Sequence, residues 1–156
     1  MRRFRSPVRR RADGAFDVRL DADARALLGT LGAQVRDLIE HDEDGGANVR
    51  RLFPPTYGDD AVRDAEFQVS FGDELRQSRL AAIDVLCTTA GEERIDEAQA
   101  LAWMQAINAV RLVLGTHLDV DEEPGRVSPR HPQAALHYAY EYLGSLLYVL
   151  VEAVGS

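Results

Sequence analysis

The sequence predicts a mainly α-helical protein, a bundle of about five helices with an N-terminal β-hairpin packed against it. Two observations predict this fold. After residue 21, apolar residues recur at three- and four-residue spacing through most of the chain, which places them on one face of a helix. Before residue 21, apolar and basic residues alternate, as in a strand with one buried face. We therefore expect residues 1–20 to form an arginine-rich hairpin and residues 21–156 a helical bundle, together in a single domain.

The hairpin is predicted to separate its apolar side chains from its arginines. Ala12, Asp13 and Gly14 supply the turn, because Asp-Gly readily adopts the positive φ of tight hairpins. Pro7 has no N–H to donate, so its strand is expected at an edge. Alternation puts one set of residues on the inner face, namely Phe4, Val8, Phe16, Val18 and Leu20, and another on the outer face, namely Arg3, Arg5, Arg9, Arg11 and Arg19.

Caps and breakers divide the rest of the chain into five helices. Asp21 or Asp23 is expected to cap the first helix, and Asp96 the fourth, which should be central and largely buried. Gly72-Asp73 is expected to separate the second helix from the third. The predicted helices cover approximately residues 21–41, 59–69, 73–91, 96–118 and 133–154.

Charge is distributed unevenly along the chain. All 18 basic residues are arginine, and six of them lie in the first eleven residues, which contain no acid. The remaining residues carry 12 arginines against 26 acids, a net charge of −14. A basic end attracts phosphate or an acidic protein surface, whereas an acidic body repels nucleic acid. The residues predicted to bind a protein partner or DNA are Arg3, Arg5, Arg9 and Arg11.

No pattern of catalytic or metal-binding residues stands out. The sequence has no glycine-rich phosphate loop, nucleophile elbow or paired-cysteine motif. His41 precedes three acids and could hold a hard cation weakly, but a solvated acidic loop is the better interpretation. We therefore expect a protein that is not an enzyme and that has neither a cofactor nor a metal site.

Cys87 is the one cysteine in the sequence, so a disulfide within the chain is excluded. The absence of a second cysteine fits a reducing, cytoplasmic environment. Cys87 follows Ile83 and Leu86 on the apolar face of its helix, where an unpaired cysteine usually packs as a small hydrophobe. Packing is therefore the preferred role of Cys87, and a redox role is the less favoured alternative.

The most apolar segment of the chain, Tyr142 to Val151, is shorter than the roughly 20 residues that cross a bilayer. No apolar run follows the basic N-terminal stretch, so neither a signal peptide nor membrane association is expected. The predicted location is the cytoplasm. The apolar face of the last helix also allows a homodimer, since two-fold dimers are common.

An unusual polar pair, Asn108 and Arg111, lies one turn apart in the predicted central helix, near Trp103. Buried polar groups need partners, so the pair predicts a structural network that bonds loop carbonyls or acids such as Asp59 and Asp60. The alternative is a notch that binds a partner.

Several stretches resemble the actinobacterial oxidative-stress regulator (AosR) family, formerly described only as a domain of unknown function. They are Phe4-Arg5, Leu52-Phe53-Pro54 with Tyr57-Gly58-Asp59-Asp60, and Trp103 through Leu118, which reads WMQAINAVRLVLGTHL. The resemblance covers nearly the whole chain and is most specific in the last stretch. It implies a cytoplasmic, helical, redox-responsive transcription regulator that acts with an alternative sigma factor. Members are commonly encoded near a Clp protease adaptor.

Two functions are consistent with these features. The preferred hypothesis is a non-enzymatic regulator of the oxidative-stress response that binds a sigma factor through the arginine-rich hairpin and adjacent helices, with promoter DNA as an open second partner. The alternative is a helical scaffold or adaptor linked to Clp-type proteolysis, without contact to nucleic acid, which the acidic body favours. In both cases a switch based on a pair of thiols within one chain is excluded, because Cys87 has no second cysteine. Sulfenic acid, a mixed disulfide or an intermolecular bridge at Cys87 stays open.

Overall fold

A computed structural model describes residues 6–41, 61–118 and 133–156. For residues 61–73 it describes only the course of the backbone. This part of the chain contains three short strands and four helices. In chain order they are β1 (Val8–Arg10), β2 (Phe16–Val18), α1 (Ala22–His41), α2 (Ala61–Thr89), β3 (Arg94–Ile95), α3 (Glu97–His117) and α4 (Ala134–Val154). The mainly helical class and the N-terminal hairpin are confirmed.

The hairpin forms where the alternation predicts it. β1 and β2 are antiparallel, with Val8 opposite Val18. In the turn, the Arg11 N–H donates to the Ala15 carbonyl oxygen at 2.7 Å, and Gly14 has a φ of 89°. That φ lies in the left-handed region, where a residue without Cβ is unstrained. The Asp-Gly pair therefore sets the register that sends the valines inward.

A third strand, β3, was not predicted from the sequence. It pairs antiparallel with β2, so the strand order is β1-β2-β3, with Phe16 opposite Ile95 and Asp17 opposite Arg94. Two residues are too few to show the alternation by which a strand is recognised. Val8, Phe16, Val18 and Ile95 are all nearly inaccessible to solvent, so the sheet has one face in the core and one outside.

Helix α1 begins as its cap predicts. An Asp21 carboxylate oxygen accepts the Ala24 N–H at 2.8 Å, which satisfies a donor that has no partner within the helix. The buried face of the helix follows the predicted apolar spacing and consists of Leu28, Leu31, Gly32, Val35 and Ile39.

The prediction of separate second and third helices is wrong. Helix α2 runs without a break from Ala61 to Thr89 and passes straight through Gly72-Asp73. A glycine inside a helix costs only about 1 kcal/mol relative to alanine, which the packing of a long helix readily offsets. The described residues therefore contain four helices rather than five. Asp59 and Asp60, the first residues of the predicted second helix, lie outside the described residues.

Helix α3 is the centre of the bundle and packs against both α2 and α4. It opens with a reciprocal capping box: an Asp96 carboxylate oxygen accepts the Gln99 N–H at 2.7 Å, and the Gln99 side chain accepts the Asp96 N–H at 2.9 Å. Its buried residues include Trp103, Ile107 and Val110. The predicted cap and the predicted burial of this helix are both confirmed.

The last helix is tied to the first strand. The Arg10 guanidinium donates to the carbonyl oxygens of Val154 at 2.9 Å and of Ala153 at 3.4 Å, at the C-terminal end of α4. The same guanidinium lies 5.1 Å from the centre of the Phe16 ring. A cation is favourable at this end of a helix, because the free carbonyl groups carry partial negative charge. None of the described helices combines the length and the hydropathy that a bilayer crossing requires.

Candidate functional site

The outer face of the sheet gathers arginines from β1, from β3 and from the residues that directly follow β1 and β2. Cα pairing puts Arg9, Asp17 and Arg94 side by side in one row across β1, β2 and β3. Strand alternation puts Arg11 and Arg19 on the same side, opposite the buried valines. We call the four arginines around Asp17 the arginine face: Arg9, Arg11, Arg19 and Arg94.

Arg11 is already neutralised within the molecule. Its guanidinium lies 2.9 Å from an Asp17 carboxylate oxygen and 3.5 Å from an Asp13 oxygen. These bonds raise the pKa of Arg11, and the hydrogen bond to Asp17 has the largest effect. The Ala15 N–H, and secondarily Arg11, lower the pKa of Asp13. Arg11 therefore shapes the turn and offers little free charge to a partner.

The other three members of the arginine face are exposed. Arg9, Arg19 and Arg94 form no ion pair with any residue that the structure describes. Two exposed acids, Glu92 and Glu93, border the face where the chain enters β3. The predicted binding residues Arg3 and Arg5 lie outside the described residues.

The face is held from behind by Arg25 of α1. This guanidinium donates to the carbonyl oxygen of Val18 at 3.1 Å and of Leu20 at 3.0 Å, at the end of β2. It also donates to Ala90 at 3.0 Å and Glu92 at 2.7 Å, in the segment that leads from α2 to β3. One side chain thus ties the helix, the second strand and the approach to the third strand together.

Sequence reasoning missed two residues of this site. Arg94 joins the arginine face only because β3 pairs with β2. A two-residue strand is too short to show the alternation from which that pairing could be predicted. Arg25 looks like any charged residue in the first turns of a helix. The groups it binds are backbone carbonyls, which leave no mark in the sequence.

Trp103 belongs to the interior. Its side chain is fully buried, and the indole N–H donates to the Thr89 hydroxyl oxygen at 2.6 Å. The Thr89 hydroxyl donates in turn to the Val85 carbonyl oxygen at 2.6 Å. This chain of bonds satisfies the polar atom of a large core side chain, as burial requires. A partner has no access to Trp103.

Arg111 lies between α3 and α4, and the structure does not bring it together with Trp103 in one hydrogen-bonded chain. Its guanidinium is 4.8 Å from the centre of the Tyr140 ring. A Cβ added at Gly144 would lie 3.1 Å from Arg111 Nε, so the glycine lets the guanidinium lie flat against α4. Asn108 is half-buried and makes no hydrogen bond to a described side chain. The acids proposed as its partners lie outside the described residues.

The Cys87 thiol is half-buried between α1 and α2. Its Sγ lies 3.9 Å from the Gly29 carbonyl oxygen. A Cβ added at Gly32 would lie 2.9 Å from Sγ, so the sulfur occupies space that only glycine leaves at this helix contact. Burial and then the Asp84 carboxylate raise the pKa of the thiol, while Arg36 lowers it. These surroundings disfavour the thiolate.

We expect Cys87 to react slowly with iodoacetamide. The thiolate is the nucleophile, so a raised pKa reduces the reactive fraction, and the position between two helices limits access. The measurement is the alkylation rate of the folded chain near neutral pH, compared with the same chain unfolded in guanidinium chloride. The unfolded chain should react faster. A folded chain that reacts faster than the unfolded one would contradict this prediction and would identify an activated thiol.

Metal ligands do not converge in the described part of the chain, where no three histidine, cysteine or carboxylate side chains come together. His41 is exposed at the end of α1, with Nδ1 3.0 Å from an Asp37 carboxylate oxygen. The acids that follow His41 in the sequence lie outside the described residues.

Comparison with known proteins connects these features to relatives. Oxidative stress regulator AosR of Mycobacterium bovis and that of Mycobacterium tuberculosis are each 30% identical to this chain over 131 residues. The alignment covers 72% of this chain and 60% of each relative, so the chain spans about 60% of their length. The Mycobacterium leprae counterpart is 35% identical over 83 residues, which cover 53% of this chain and 38% of that protein. No solved structure matches the chain.

A family model matches nearly the full length. Residues 1–154 match the family described as a domain of unknown function, DUF2017. The similarity to the mycobacterial proteins agrees with the resemblance carried by the stretch from Trp103 to Leu118. The chain therefore belongs to the DUF2017 family and has relatives that are named oxidative stress regulator AosR.

Proposed function

We propose that this protein is a non-enzymatic, cytoplasmic regulator of the oxidative-stress response that binds an acidic protein partner through the arginine face. The regulatory role is supported by the names of its mycobacterial relatives. The observation that carries the binding mode is the set of exposed arginines, Arg9, Arg19 and Arg94, which have no ion-pair partner among the described residues.

The face is supported by a rigid underside. Val8, Phe16 and Ile95 are buried directly beneath it, and Arg25 fixes the backbone at the end of β2. A surface that is already ordered loses little conformational entropy when it binds. Exposed arginines on such a surface can contact carboxylates in pairs through their planar guanidinium groups.

An acidic protein surface fits the face better than a long run of phosphates. Duplex DNA carries a negative charge about every 1.7 Å of its axis, and tight binding requires many cations. Here Asp13 and Asp17 neutralise Arg11, and the whole chain has a net charge of −8. The partner we propose is an alternative sigma factor, which the family resemblance implies.

The test is a double charge reversal, Arg9→Glu with Arg94→Glu, in the full chain. We expect affinity for the purified alternative sigma factor of the source organism to fall at least about tenfold, since like charges at an interface repel. The matched control is Arg9→Lys with Arg94→Lys, which keeps the charge and should retain most of the affinity. Calorimetric titration gives both values. Equal affinity for the reversed and the native chains would refute the proposed binding mode.

Contact with promoter DNA is the less favoured alternative, because the chain is acidic overall, and salt dependence tests it. If binding depends on three phosphate contacts, the affinity for DNA should fall about 40-fold as salt rises from about 50 to about 200 mM. Binding that does not change with salt, or no binding at low salt, removes the DNA part. In the adaptor alternative, which the acidic body favours, the same reversal would leave recovery of a Clp component unchanged and no sigma factor would be recovered.

A further inference from the structure

A groove opens beside the arginine face, between the start of α1 and the outer surface of α4. Its volume is about 620 Å³, within the range of about 300–1,000 Å³ that is typical of ligand pockets. Apolar and charged side chains share its walls. The lining includes Arg19, Asp21, Asp23, Leu27, Tyr138 and Tyr142.

Two tyrosines form the α4 wall of the groove. The Tyr138 side chain is 75% exposed, an unusually open position for a large ring. Tyr142, one helical turn further on, is half-buried. Tyr138, Tyr142 and Asp21 all line the groove. Burial, and then the charges of Asp21 and Tyr138, raise the pKa of the Tyr142 hydroxyl. The groove thus contains two aromatic side chains and a carboxylate.

The opposite wall carries two acids, Asp21 and Asp23, whose carboxylates can still pair with a cation. Asp21 caps α1 with one carboxylate oxygen, which accepts the Ala24 N–H, and makes no ion pair with a described residue. Asp23 forms neither an ion pair nor a side-chain hydrogen bond with any residue in the described ranges. Arg19 is the one cation among the described lining residues. Its charge is exceeded by the two acids.

We propose that this groove binds a cationic side chain, arginine or lysine, within a peptide segment of a partner protein. A guanidinium or ammonium group can contact the faces of Tyr138 and Tyr142 while it pairs with Asp21 or Asp23. Leu20, Leu27 and Pro7 provide apolar contact for the methylene stem, which long basic side chains bury along such surfaces. The groove accepts a cation, whereas the arginine face accepts an anion, so this site goes beyond the proposed function. The two sites share Arg19 at their border.

The test uses a defined probe, the blocked peptide acetyl-Gly-Arg-Leu-Arg-Gly-amide, with its Glu-for-Arg counterpart as the matched anion. Titration into the full chain, followed by amide chemical shifts in NMR spectra, should move the signals of Ala24, Tyr138 and Tyr142 with the arginine peptide only. Asp23→Asn should weaken binding about two- to fivefold, as the loss of one exposed ion pair does. The cap at Asp21 remains intact in this variant, so the helix still begins normally.

Three further variants distinguish this site from general attraction to an acidic protein. Tyr138→Leu keeps apolar bulk but removes the ring face, and should weaken binding about two- to fivefold, while Tyr138→Phe should not. Arg19→Gln should strengthen binding of the arginine peptide. Glu97→Gln, an exposed acid that does not line the groove, should leave it unchanged.

Two outcomes would overturn the assignment. Equal weakening by Glu97→Gln and Asp23→Asn would show non-specific electrostatic attraction. Self-association that Tyr138→Leu abolishes, measured by sedimentation without peptide, would assign the groove to a second copy of the chain.

Discussion

Replacing Trp103 with alanine is expected to lower the free energy of unfolding by about 3–5 kcal/mol, the usual cost of removing a large aromatic side chain from a core. The physical reason is its position. Trp103 is 0% exposed and lies on the central helix α3. Truncation would leave a cavity at the contact of α3 with α2 and would remove the donor bonded to Thr89. Urea unfolding followed by far-UV circular dichroism gives the value.

Two control variants separate packing from hydrogen bonding. Trp103→Phe keeps an aromatic ring but loses the indole N–H, whereas Thr89→Val keeps the ring and leaves that N–H without its acceptor. A buried donor without a partner costs about 1–3 kcal/mol. Both variants should therefore be less destabilised than Trp103→Ala. A loss below about 1 kcal/mol in Trp103→Ala would contradict the central role of this side chain.

Removing the guanidinium of Arg25 should have the second-largest effect. Arg25→Met keeps an aliphatic stem of similar length but leaves four carbonyl oxygens without their shared donor. A hydrogen bond from a charged group contributes about 1.5–3 kcal/mol, and bonds that share one donor group do not add fully. We expect the free energy of unfolding to fall by about 2–4 kcal/mol.

The Arg25 effect should also be local. Amide hydrogen exchange of the Val18 and Arg19 N–H groups should accelerate more than exchange within α3, because the lost bonds hold the end of β2. Arg25→Lys is the matched control and should recover only part of the stability, since one ammonium group cannot reach four separated acceptors. Full recovery in Arg25→Lys would show that charge, and not the planar donor geometry, matters.

The sequence predicted those parts of the fold that depend on neighbouring residues. Asp13-Gly14 set the turn, and Asp21 and Asp96 cap helices, because each acts on backbone groups within a few residues. The errors came from weak local signals that packing overrides. Gly72 was expected to interrupt a helix, but the cost of one glycine is small compared with the packing of a helix such as α2.

The candidate site was predicted only in part for a related reason. Alternation correctly put Arg9 and Arg19 on an outer face, since period two is a local property. That Asp17 neutralises Arg11, that Arg94 joins the same row, and that Arg10 turns to the end of α4 all depend on contacts across the fold. Counting charges along the N-terminal segment therefore overestimated how many arginines are available to a partner.

The bond from Arg10 to the end of α4 also has a consequence for biosynthesis. The donor and its acceptor at Val154 are 144 residues apart in the chain. At about 5–20 residues per second, a ribosome needs about 7–30 s to make that stretch. During this interval the hairpin has already been made, yet the helix end that accepts its arginine has not. Nascent chains of this protein should therefore expose an incompletely docked hairpin to chaperones until translation of α4 is finished.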